Sequence, residues 1–193
     1  MPSFHHALLF AATLLAATPI LPKPVEDTER SLAVQVRKSR GEVIVDVSML
    51  VEASQRDAWD VLTDYDHMAE FFPRLTSSKV TQRNGNVLRL EQHGKVSYGL
   101  LSFPFESVRE IELKPYEEIR SRAVGGSLRK GDADTRLVEE GGGTRIFYHS
   151  ESVPAVWVPP GIGPAIIESG TRQQFESLRA EILKRKTAAQ PAR

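Results

Sequence analysis

Between residues 77 and 153 the chain repeats one arrangement: a segment with strand character, then a tight turn. Turn signals stand at 84–86 (NGN), 114–116 (KPY), 125–126 (GG) and 141–143 (GGG). They separate predicted strands at 77–82, 87–92, 97–113, 118–125, 134–139 and 144–153. Strands joined by such short connections pair antiparallel. The 97–113 segment is too long to run straight, and Pro104 within it cannot donate a ladder bond, so a bend or bulge is expected there. An antiparallel sheet with one apolar face must have that face covered. The obvious cover is a helix predicted over 164–185. Ile167, Thr171, Phe175, Leu178 and Ile182 form its stripe, with Glu168, Arg172, Glu176, Arg179 and Lys184 mostly off it. A curved sheet gripping a long helix seldom packs solid along its whole length, and the space left over becomes a pocket.

Upstream, Val43, Val45, Val47, Met49 and Val51 alternate with Ile44, Asp46, Ser48 and Leu50, which is strand period. The SRG at 39–41 turns the chain between two strand arms. Ser54 and Asp57 have capping-box spacing, and Ala58, Val61, Leu62 and Tyr65 follow at helical intervals. A second short helix is predicted within 64–73, stopped by Pro73. The order is strand pair, two short helices, a run of antiparallel strands, one long helix.

Three stretches carry a resemblance. VSMLVEASQRDAWDVLTDYDHMAEFFPRLTSSKV resembles the opening of the START-like (SRPBCC) superfamily, where a strand runs into a helix, a DY-containing turn and an aromatic–proline stop. GDADTRLVEEGGGTRIFYHSESVP is similar to its penultimate hairpin, and PAVWVPPGIGPAIIESGTRQQFESLRAEI to its proline-rich approach to the last helix. The likeness spans about residues 42–184 and is greatest to the polyketide cyclase/dehydrase and coenzyme Q-binding branch. It implies an α+β helix-grip fold over 31–185: a curved antiparallel sheet wrapped around a long C-terminal helix, with a frayed tail at 186–193. It also implies a cavity for an apolar or amphipathic small molecule. The superfamily includes lipid carriers, quinone-binding proteins, hormone receptors and aromatase/cyclases, with no common catalytic set to transfer.

Composition narrows the function further. The 193 residues carry 25 basic and 25 acidic side chains, so no general positive field is available for phosphate neutralisation, which argues against nucleic acid as a partner. There is no cysteine, which excludes disulfides, thiol nucleophiles and thiolate metal sites. The uncharged apolar run at 7–17 has the length of a signal-peptide core and is ended by Pro19 and Pro22. Residues 1–22 are therefore expected to direct export to the periplasm or beyond, with an uncleaved membrane anchor as the rival reading.

Catalytic signals are sparse. His67, His93 and His149 are far apart, and the His67/Glu70 pair offers too few ligands for a metal, so no metal or cofactor is expected. GGGTR at 141–145 lacks the Lys and following helix of a phosphate loop, and no GxSxG occurs. On the last strand Thr144, Ile146, Tyr148, Ser150 and Ser152 share one face and Arg145, Phe147, His149, Glu151 and Val153 the other, with neither wholly apolar. Arg145 and Glu151 suit the wet side. If the protein is an enzyme, His149, Tyr148 and Arg145 are its first candidates.

The expected lining of the implied cavity is mostly aromatic: Phe72, Tyr98, Phe103, Phe105, Phe147, Trp157 and Phe175. Thr171 and Gln174 add polar positions near the inward stripe of the long helix. The charge-free connector at 153–164, with four prolines and Trp157, reads as a rigid crossover plugging the core or as a ligand entrance touching a membrane surface. The leading functional expectation is an exported carrier of a lipid, quinone or isoprenoid-like molecule. The alternatives are a cyclase/dehydrase acting on a polyketide-like substrate and an envelope interaction module.

Overall fold

The computed structural model describes residues 31–98, 101–155 and 163–189, with the side chains of 97, 98 and 101 outside that description. Two strands open the chain, β1 (Leu32–Ser39) and β2 (Glu42–Val51). Helix α1 (Gln55–Leu62), a 3₁₀ turn (Tyr65–His67) and the one-turn helix α2 (Met68–Phe71) follow. Then come β3 (Leu75–Asn84), β4 (Val87–Tyr98), β5 (Leu101–Lys114), β6 (Glu118–Gly126), β7 (Leu128–Glu140) and β8 (Gly143–Pro154), and finally α3 (Pro164–Ala189). The strands form one eight-stranded sheet in the order β1-β2-β8-β7-β6-β5-β4-β3, antiparallel at every pairing. This is the helix-grip arrangement: a curved antiparallel sheet, short helices after the early strands, and a long terminal helix in its concavity.

The alternation in β2 works as written. Val45, Val47, Met49 and Val51 are buried, and the residues between them are only partly so. The predicted capping box is complete. The Ser54 hydroxyl accepts from the Asp57 amide at 3.1 Å, and the Asp57 carboxylate accepts from the Ser54 amide at 3.2 Å. Helix α1 closes one end of the sheet, where the Gln55 amide donates to the Leu137 carbonyl and Trp59 packs its ring 5.8 Å from that of Tyr116. Tyr116 holds φ at +67°, a conformation uncommon outside glycine, and this turns its ring back onto Trp59.

Two expectations are corrected. The segment 97–113 is not one bent strand. A hairpin divides it, with Tyr98 opposite Leu101, and Pro104 lies inside β5 opposite Lys95. Pairing of β5 with β6 begins only at Ser107, so Pro104 stands where β5 has one partner strand and its missing amide costs no ladder bond on the other side. The helix also does not end at 185. It continues to Ala189, because Lys186 donates to the Glu52 carbonyl at 2.5 Å and Thr187 to Leu183 at 2.9 Å.

The position of α3 decides where space remains. Its C-terminal half is fixed by Arg185, which reaches Asp64 at 2.6 Å and lies over the Phe71 ring. Arg172 and Arg179 tie the same helix to Leu32 and Ser31 at the start of β1. It packs chiefly against β1, α1, β2 and α2. The helix therefore leans to one side of the concavity and leaves a gap over the middle of the sheet.

Candidate functional site

That gap is a cavity of about 560 Å³. Alternate residues of each strand form its wall: Phe105, Ser107, Arg109 and Ile111 from β5, Ile119 and Ser121 from β6, Ala133 and Thr135 from β7, Tyr148 and Ser152 from β8. Leu90, Gln92 and Val96 of β4 extend it, and Phe175 and Leu178 of α3 form the roof. Ile111, Ile119, Leu90 and Leu178 are buried, whereas Pro73, Gln173 and Gln174 are exposed and mark the mouth, between the α2–β3 junction and α3. The volume and mainly apolar lining are those of a small-molecule site.

The charged groups of this cavity are two arginines, Arg74 and Arg109; among the described residues no Asp, Glu, Lys or His lines it. Arg109 sits in the wall at a β-bulge, where Val108 faces Gly125 and Arg109 faces Ala123, an irregularity that re-aims the local side chains. Its Nε donates to the Ser121 hydroxyl and its Nη2 to the Gly131 carbonyl at 3.0 Å. The Gly131 carbonyl is free to accept because β6–β7 pairing ends at Arg122 opposite Asp132. Burial pulls the Arg109 pKa down, while Tyr148 and Asp132 act in the opposite sense, and among the described residues no ion-pair partner stands within 4.0 Å. Arg74 lies at the mouth against Gly170, where any side chain on the helix would collide with its guanidinium. Tyr65 lines the cavity with a hydroxyl that is buried and has no hydrogen-bond partner among the described residues, and burial pushes its pKa up. Gln92 is committed to Ser78 at 3.0 Å.

The expected lining residues separate into three groups. Phe72, Phe105, Gln174 and Phe175 line the cavity, and so does Tyr148, whose ring lies 5.5 Å from that of Phe175. Phe103 and Thr171 are half-buried beside it without lining it. Phe147 is on the opposite, convex face of the sheet, because it is out of phase with Ile146 and Tyr148 on the same strand. Trp157 and the Tyr98 side chain lie outside the described residues, as do connector residues 156–162 and the N-terminal 1–30.

Two of the three catalytic candidates are also on the convex face. Arg145 makes a paired contact with Glu140 at 2.5 and 2.6 Å and donates to Ser48 at 3.1 Å. His149 bonds Asp46 at 2.7 Å and lies 3.6 Å from Glu151, which in turn holds Lys130. These are surface ion pairs on strands β2, β7 and β8, away from the cavity. His67 pairs with Asp64 at 2.6 Å rather than with Glu70, and among the described residues no three potential ligands gather to hold a metal.

Arg109 was missed by sequence reasoning. It stands in FESVREIEL among three glutamates and looks like surface charge. The signal that would have found it is parity: it shares a strand face with Phe105 and Ile111.

The fold recurs in solved structures of low sequence identity. The Zhui aromatase/cyclase from Streptomyces sp. R1128 is 16% identical, with a TM-score of 0.66 over 78% of this chain and 99% of that one. A STAR-related lipid transfer protein from Xanthomonas axonopodis is 12% identical, with a TM-score of 0.62 over 79% and 99%. Human StAR-related lipid transfer protein 5 is 11% identical, with a TM-score of 0.62 over 81% and 88%. No curated protein matches the chain in sequence. A family model described as polyketide cyclase / dehydrase and lipid transport matches residues 51–178, the stretch that contains the capped helix, the cavity strands and most of the roof, and the chain belongs to that family.

Proposed function

We propose that the protein binds and carries a hydrophobic small molecule in the cavity between the sheet and α3. The observation that carries this reading is the 560 Å³ gap itself, left because α3 packs toward β1 and β2 rather than over β4–β7. The family supports it, as do the lipid transfer proteins among its structural neighbours. The apolar run at 7–17 supports export as part of the same role.

The aromatase/cyclase neighbour favours a second reading, in which Tyr148 and Arg109 orient a reactive chain inside the cavity. Proton transfer would then fall to a tyrosine, Tyr148 or Tyr65, since no carboxylate or imidazole lines the space among the described residues. Carriage asks less of this lining and is preferred.

The test is extraction of protein purified from its native host, with lipid mass spectrometry and thermal-shift measurements against a lipid and quinone panel. A retained molecule, or a stabilising shift lost in Ala133→Phe, is expected. An empty protein indifferent to the whole panel would sink the reading. Secretion is checked by the mass of the mature N-terminus, with loss of some twenty residues expected.

A further inference from the structure

Arg109 sets a condition on what can fill the cavity. A guanidinium offers five N–H donors, and Arg109 spends one on Ser121 and one on Gly131. Among the described residues its Nη1 has no hydrogen-bond partner and no carboxylate comes within ion-pair distance. Charged groups withdrawn from water are normally paired, since their desolvation is otherwise uncompensated. Asp132 is the acid whose field reaches Arg109, and it does so from outside ion-pair distance. A clamp joining β5 to Gly131 would need only a neutral donor. The cavity wall carries further hydroxyl side chains, Ser107, Thr135 and Ser152, in a mainly apolar lining. Arg74 adds a second cation at the mouth, its guanidinium without an ion pair or hydrogen bond among the described residues. The chain as a whole carries equal numbers of basic and acidic residues, so this local excess of two positive charges is a property of the cavity.

We propose that the molecule held here is an amphipathic anion, with an oxyanion head (carboxylate or phosphate) at Arg109 and an apolar body along Leu90, Ile111, Ile119 and Phe175. The proposal rests on the reading of the cavity as a binding site and names the class of its occupant. The head replaces the missing counter-ion, and a charge-assisted contact in a poorly solvated wall is stronger than the same contact in water. Arg74 attracts the anion at the mouth. Gly170 is what allows Arg74 to lie there, so Gly170→Ala displaces its guanidinium without touching the apolar walls.

The experiment is competition against a hydrophobic fluorescent dye by four probes of equal chain length: dodecanoate, dodecyl phosphate, dodecan-1-ol and methyl dodecanoate. At least one anion is expected to bind about tenfold or more tightly than the alcohol, the worth of a hydrogen bond to a charged group. Which anion is preferred separates a carboxylate head from a phosphate head. In Arg109→Met the preference should collapse to under about threefold with the alcohol unchanged, while Arg109→Lys should retain part of it. Gly170→Ala should weaken the anions by about twofold to fivefold and leave the neutral probes alone. A purely structural Arg109 would lower stability in Arg109→Met without changing the anion-to-alcohol ratio, which overturns the proposal. Equal binding of anions and alcohol by the unaltered protein also overturns it and leaves the binding site standing. If no probe displaces the dye, the binding site itself falls, and the proposal with it.

Discussion

Neighbouring residues of β8 differ as the two faces of the sheet differ. Ile146 is completely buried on the concave face, and Phe147 beside it is 39% exposed on the convex one. Tyr148 lines the cavity, whereas His149 joins Asp46 in a surface ion pair. The contrast in cations is sharper still. Outside, Arg37 meets Asp46, Lys130 meets Glu42 and Glu151, and Arg145 meets Glu140. Inside, Arg74 and Arg109 meet no carboxylate among the described residues. Those three convex-face cations are matched by the chain's own acids, where water would have screened them anyway. The two half-buried cavity cations are left unmatched among the described residues, where matching would be worth more than on the open surface. Folding calls for no unmatched cation in the cavity wall, which is the basis for the anionic occupant proposed above.

Three measurements would break or sharpen this contrast. The largest effect is expected from adjacent truncations on β8: Ile146→Ala should cost about 2–5 kcal/mol in urea unfolding and Phe147→Ala under about 1 kcal/mol. Comparable losses would mean that the convex face is covered in the native protein. Next come polar contacts. The buried Thr144 hydroxyl donates to the Ala53 carbonyl at 2.8 Å, and Thr144→Val, which leaves that carbonyl unpaired, should cost about 1–3 kcal/mol. Arg37→Gln on the convex face should cost well under that range.

The smallest effect is the pH dependence of the His149–Asp46 pair. The hydrogen bond to Asp46 raises His149 above its usual 6.5, so this contribution is complete below about 6.5 and is lost as pH rises through the raised value. The hydrogen bond from His149 holds Asp46 below its usual 3.8, so that contribution is complete above 3.8 and is lost as pH falls through the lowered value. The stability difference between the unaltered protein and His149→Asn should therefore be greatest between about pH 4 and 6.5. It should stay below about 1 kcal/mol, as befits an exposed pair, and shrink above neutrality. A flat difference from pH 5 to 9 would show that His149 is held by something other than Asp46.

The fold was legible because its evidence is local and repeated. Each turn signal fixed a reversal, the alternation in 43–51 fixed a buried face, and Ser54 and Asp57 fixed a helix start. The cavity was legible only as a consequence of architecture, and its lining only in part. Aromatic identity singled out Phe72, Phe105 and Phe175, which line the cavity, and equally Phe147, which does not, because identity carries no information about strand phase. Arg109 was hidden for the same reason. The turn within 97–113 was missed, so the phase of β5 was not followed from Phe105 through Ser107 to Arg109. Its partner Gly131 was also out of view, since β7 begins at Leu128 rather than at 134. A strand boundary misplaced by a few residues is thus enough to conceal a cavity cation.

The pairing of β2 with β8 has a kinetic consequence. Asp46 and His149 are 103 residues apart in the chain, and Arg172 reaches Leu32 across 140. The hairpins from β3 to β8 can assemble from near neighbours, but β1 and β2 must wait, with an open strand edge, for the last strand and helix to arrive. Contacts of such long separation slow folding and prolong the exposure of unpaired edges. The roof of the cavity and the docking partner of β2 both come from the C-terminal part of the chain, so the site is complete only once those residues have been added.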